Sequence, residues 1–169
     1  MNSRTKIGII IASLISIASC KVRYGFNDAS IDPAIKTVKI GYMENKARYI
    51  NPQLAQKLTD KIQQKITTGT KLTRTNVDTA DYVINGTITT YDGTQTVGVS
   101  SQQANTNRLT VTVHMTLRKT KENKVEEFDV SRSFDYAATL AFATAEAQLL
   151  DEVIRSLTDD IFNRIFSNW

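Results

Sequence analysis

Among its 169 residues the chain has one cysteine, one histidine, one tryptophan and two prolines. A single cysteine, Cys20, leaves no partner for a disulfide, so stability has to come from packing. Three or four clustered Cys and His ligands are what a structural zinc needs, and they are missing. A nucleophile is usually activated by histidine. His114, the only one, sits in a strand pattern with Thr110, Thr112 and Thr116 as its face-mates, which reads as a solvated strand residue. There is no GxGxxG and no Walker-type loop, so nucleotide binding has no support. Charge is also in short supply: the formal net charge is +4, with bases alternating with acids, and aromatic and basic residues do not interleave as a nucleic-acid platform requires. No apolar run reaches the roughly 20 residues of a membrane span. What these absences leave is a binding or structural module with no cofactor, not an enzyme.

The amino terminus is informative. Arg4 and Lys6 precede an apolar stretch, residues 7–17, which is interrupted by Ser13 and Ser16 and followed by Ala18-Ser19-Cys20. This is the layout of a secretory signal peptide. The segment Ile17-Ala18-Ser19-Cys20 further resembles a bacterial lipobox. The resemblance implies cleavage before Cys20, diacylglycerol on its sulfur and acylation, palmitate for example, of the new amino terminus. Two or three acyl chains make a stable membrane anchor where one is marginal. Residues 1–19 then form the signal peptide, 20–33 a lipidated tether and 34–169 a single domain. Loss of Arg4 and Lys6 lowers the charge from +4 to +2.

Along that domain, Val38, Ile40 and Tyr42 alternate with Thr37, Lys39 and Gly41, predicting a strand over 35–43. A loop over 44–50 follows. Asn51-Pro52 has the form of a helix cap and first helical residue. Leu54, Leu58, Ile62 and Ile66 recur every fourth position beyond it, and Gly69 reads as a left-handed terminator. After a short strand around Leu72, residues 82–91 read as a strand with Gly86 as a bulge. Residues 92–106 are rich in Gly, Ser, Gln and Asn, long for a hairpin loop. From Leu109 to Leu117 apolar residues alternate without exception against threonines and His114. A hairpin leads to a strand in which Phe128, Val130, Phe134 and Tyr136 share one side with a single charge, Arg132. Residues 144–167 turn helical, with Leu149, Leu150, Val153, Ile154, Leu157, Ile161 and Ile165 on one face and Asp151/Arg155 and Asp160/Arg164 as i,i+4 pairs. The order strand-helix-strand-strand-strand-helix predicts an α+β two-layer sandwich, two helices on one face of a mainly antiparallel four-stranded sheet. The acid pairs Glu126-Glu127, Asp151-Glu152 and Asp159-Asp160 point apart on their elements and read as solvated surface.

Four places resemble a known family, the LPS-assembly lipoprotein LptE in the form found in Bacteroidetes-type bacteria. They are the lipobox with Tyr24-Gly25-Phe26, Lys36-Thr37-Val38 through Asn51-Pro52, Asn107 through Val113, and Asp160-Ile161-Phe162-Asn163 with Phe166-Ser167-Asn168-Trp169. The resemblance implies a non-enzymatic lipoprotein of the outer membrane, facing the periplasm through its anchor on Cys20. It would plug the β-barrel of LptD, assist its assembly and help insert lipopolysaccharide. Lys21 follows Cys20 without an acidic run, so no surface-export signal is present. Clustered cations suit the phosphates of lipopolysaccharide, and the candidates are Arg108 and Arg118 at the two ends of one strand, with Lys119, Lys121 and Lys124 in the next hairpin. Phe162, Phe166 and Trp169 fall on one helix edge, either as cover for the sheet or as partner contacts. The uncharged stretch 93–106 suits a polar barrel lumen, and equally a disordered loop. A different reading stays open: residues 80–88 also look like a strand of periplasmic lipoproteins that activate cell-wall synthases or build secretion pores.

Overall fold

A computed structural model describes residues 31–97 and 106–167. Cys20, Trp169 and residues 98–105 of the expected 92–106 loop therefore lie outside the described residues, while the two ends of that stretch belong to strands. The elements in chain order are β1 (Thr37–Ile40), β2 (Glu44–Asn45), α1 (Leu54–Gly69), β3 (Thr73–Arg74), β4 (Tyr82–Val97), β5 (Thr106–Lys119), β6 (Lys124–Ala137) and α2 (Phe142–Phe166).

Both expected helices are present over one α+β sheet. The sheet itself differs from expectation: it has six strands and is mixed, in the order β3-β1-β4-β5-β6 with β2 also on β4. β1 runs parallel to β3 and β4, and β2 parallel to β4; only β4-β5-β6 is antiparallel. The physical reason is the connection. A helix between two neighbouring strands carries the chain back to the end it started from, so the second strand runs parallel to the first. β2 falls inside the expected 44–50 loop and is too short for periodicity to reveal.

β5 is the centre of the core. Leu109, Val111, Val113, Met115 and Leu117 are all buried and face the helices, while the residues between them are half-exposed on the other side. Full burial of each such side chain contributes roughly 1.5–3 kcal/mol. Val153, Leu157 and Ile161 of α2 and Leu54, Leu58, Ile62 and Ile66 of α1 complete the same cluster. α1 begins as its sequence directs, with Asn51 Oδ1 accepting the backbone N–H groups of Gln53 and Leu54 at 2.8 and 3.1 Å. Its last residue, Gly69, is not left-handed, and the chain leaves through an extended Thr70. Glycine is needed there for space, since a Cβ would lie 2.9 Å from the Phe162 ring.

Gly86 is likewise no bulge. It stands in register opposite Met115, and a Cβ would collide with the sulfurs of Met43 and Met115. The register shifts of β4 come later, between Ile88 and Thr90 and between Asp92 and Gln95. Each extra residue turns the alternation over, so Ile84, Gly86 and Ile88 point inward before the first shift and Tyr91 and Gly93 after it. At the far edge, Arg132 is explained by α2: its guanidinium makes a two-point contact with Asp160, Nη2 to Oδ1 at 2.6 Å. Asp160 is thus used across the layers and not along the helix, and Arg164 lies over the Phe128 ring, 5.8 Å from its centroid.

Candidate functional site

With both helices on one side, the opposite face of the sheet is open among the described residues, and its chemistry follows from the even positions of β5 and odd positions of β6. Thr110 pairs with Ser133 and Thr112 with Ser131 through hydroxyl contacts of 2.9 Å. Arg108 grips Asp135 with two bonds of 2.6 and 2.9 Å, and His114 Nδ1 meets Asp129 at 2.7 Å. The Arg108 hydrogen bonds hold the Asp135 carboxyl below its ordinary range and raise the guanidinium in turn. The result is a strip of neutral hydroxyls bounded by charges that are already matched.

The sequence-selected cations separate into two places. Arg108 is at one end of β5. Arg118, Lys119, Lys121 and Lys124 gather at the other, and each is engaged. Lys119 and Lys124 share Glu126 at 2.9 and 2.8 Å, Lys121 reaches Asp81 at 3.1 Å, and Arg118 donates to the Asp78 carbonyl at 2.7 Å. Lys124 and then Lys119 hold the Glu126 carboxyl below its usual range. Asp81 is held lower still: the Lys36 backbone N–H is the main cause, helped by Thr37 and Lys121 and opposed by burial. Phe162 and Phe166 are 5% and 3% exposed, with ring centroids 5.1 Å apart, so both belong to the core.

A cleft of about 620 Å³ at the Arg108 end of the sheet is not legible in the sequence. Arg48, Tyr49, Thr89, Thr90, Tyr91, Asp92, Gly93 and Phe142 line it. Tyr49 stacks on Tyr91 with centroids 5.6 Å apart and meets the edge of Phe142 at 5.5 Å. Glu146, near the start of α2, accepts the Tyr49 hydroxyl at 3.2 Å and the Asn51 amide at 2.7 Å. The Tyr91 hydroxyl is buried and makes no hydrogen bond among the described residues; burial first, and Glu146 next, push its pKa far above the ordinary phenol value. The rings come from three distant parts of the chain, and the β4 shift that turns Tyr91 inward has no signature in residue type. The one available signal was Tyr49-Ile50, two apolar residues in a loop that no periodicity assigns to the core.

The described residues thus form a helix-backed α+β sheet with a face of paired hydroxyls and matched charges and an aromatic cleft at one end. Among the described residues His114 has Asp129 as its only hydrogen-bond partner, with Glu127 farther off at 3.9 Å. The chain belongs to the LptE family of lipopolysaccharide-assembly proteins, whose model matches residues 35–165. Comparison with curated protein sequences finds no match. Among solved structures the chain is similar to PelC, a dodecamer from Paraburkholderia phytofirmans, at 12% identity and a TM-score of 0.51, covering 79% of this chain and 90% of that one. A protein described as a neuraminyllactose-binding hemagglutinin homolog from Helicobacter pylori gives 9% identity and a TM-score of 0.56, with 83% and 86% covered. Uncharacterized lipoprotein B from Nitrosomonas europaea gives 15% identity and a TM-score of 0.50, with 79% and 83% covered. At such identities these likenesses speak for the fold alone.

Proposed function

We propose that this chain is a lipid-anchored partner of an LptD-like β-barrel, held at the periplasmic side of the outer membrane through Cys20 and seated in the barrel lumen without catalysing a reaction. The open sheet face is the observation that supports this reading. A barrel lumen is lined by polar side chains. A face of paired hydroxyls can lie against such a wall without desolvating an unmatched charge, which would cost several kcal/mol. Lipopolysaccharide would meet the cationic ends of β5. Of the five candidate bases, Arg118 is hydrogen-bonded to a carbonyl and not to a carboxylate, so its charge is the readiest to engage a phosphate.

Thr112→Lys places a charge at the centre of the face, next to Ser131 and Thr90. The variant should melt within a few degrees of the wild type, because the side chain stays in water, yet recover at least tenfold less barrel on co-purification. Undiminished recovery would remove the open face from the interface. Cys20→Ala should fold alike and shift from the membrane to the soluble fraction.

A further inference from the structure

We propose that the cleft between the 48–49 loop and β4 is a binding site for a phosphorylated saccharide. Its construction argues for a ligand of this class. β2 pairs with β4 only as far as Ile88, and Lys46 makes the last backbone bond to it at 2.9 Å. The chain then swings outward through Arg48 and Tyr49, opening a volume in the range of small-ligand pockets. Tyr49 is 45% exposed while one side of its ring is fixed by Tyr91, its edge by Phe142 and its hydroxyl by Glu146. It is a preorganised apolar platform, suited to the C–H face of a sugar ring, and it loses little freedom on binding.

Arg48 is exposed and, among the described residues, makes no ion pair or hydrogen bond, unlike Arg108, Arg118 and Arg132. An unengaged guanidinium at the rim of a cleft suits a phosphate. Thr89 and Thr90 add hydroxyls that can serve those of a sugar. The floor is made deliberately: a side chain at Gly93 would occupy the place of the Phe142 ring.

An extended peptide is the competing occupant, because among the described residues β4 has no strand partner on this side beyond Ile88. The two register shifts, at Thr89 and around Gly93, interrupt that edge within five residues, and an interrupted edge cannot template a regular strand. An acyl chain is disfavoured by the charge and hydroxyls of the lining. The saccharide could be part of lipopolysaccharide, a source that rests on the family role given above, or a free sugar phosphate.

Calorimetric titration of the purified lipoprotein in detergent separates these cases. Glucosamine 1-phosphate should bind at least tenfold more tightly than either glucosamine or inorganic phosphate. Arg48→Gln, a change at an exposed side chain, should erase the advantage over glucosamine. Tyr49→Ala should weaken both sugars about tenfold, with Tyr49→Phe restoring them if the ring itself is the platform. Equal binding of inorganic phosphate and the sugar phosphate, preference for an extended peptide, or indifference to both substitutions would overturn the proposal. Deacylated lipopolysaccharide binding equally to wild type and both variants would sink the cleft and leave the family role standing. Sugar phosphate binding without any lipopolysaccharide binding would do the reverse.

Discussion

At the scale of single residues, Asp81 does more than its place in a turn suggests. Its carboxylate accepts the backbone N–H groups of Lys36 and Thr37 at 2.8 and 2.9 Å and the Thr37 hydroxyl at 3.0 Å, while its own N–H returns to that hydroxyl at 2.9 Å. The start of β1 is thereby clamped to the start of β4. Because these bonds favour the charged form, the folded carboxyl titrates below the ordinary 3.8. The stabilisation is therefore present in full above that value and is lost as the pH falls through the lower, folded one. Asp81→Asn should cost about 2 kcal/mol in urea unfolding at pH 7, in line with hydrogen bonds to a charged group. Its deficit should shrink as the wild type loses the same bonds in acid; a deficit that stayed constant down to pH 2 would contradict the assignment. None of this is legible in the sequence, where Ala80-Asp81-Tyr82 is only the beginning of a strand. The partners lie forty-odd positions upstream.

At the scale of elements, one-sided burial decides what the sequence shows. β5, α1 and α2 are legible because periodicity is imposed by burial on one side, and each of them is buried on one side only. Asn51 is legible because a cap acts on its own neighbours. It also makes a bond that the sequence does not reveal, from its side-chain amide to Glu146 of α2, so it ties the starts of the two helices together. Asn51→Ala should cost about 1–2 kcal/mol from the cap alone. The loss should be smaller in a Glu146→Ala background, where the inter-helix bond is already gone; additive losses in the double-mutant cycle would show the amide bond to contribute nothing. What stays hidden is whatever depends on a third element. The parallel pairing of β1 could have been inferred from the intervening helix, but β2 is two residues long. Gly69 and Gly86 read as backbone devices in one dimension, whereas in three they are clearances for Phe162 and for two methionines.

For the whole molecule, one core joins both helices to the sheet among the described residues. Unfolding should accordingly be two-state, with far-UV dichroism and the near-UV signal of the Tyr49, Tyr91 and Phe142 cluster giving the same midpoint in urea. An earlier loss of the near-UV signal would mean that the cleft opens independently. The candidate site divides along the same line. The open face is partly legible, since the threonines of β5 announce a polar side, but the cleft is assembled from residues 48, 91 and 142 and only the folded chain brings them together.

The position of α2 in the chain has a consequence for biogenesis. It comes after every strand it covers, and until it docks, the part of the inward row from Leu109 to Leu117 that α1 does not cover faces water. The other edge of the same half-finished sheet is β6, fourteen residues long and in unbroken register with β5. A chain emerging into the envelope thus passes through a state with both a bare apolar face and a long open edge. Chains cut short before Phe142 cannot leave that state, and they are the forms a cell would have to hold by a chaperone or destroy.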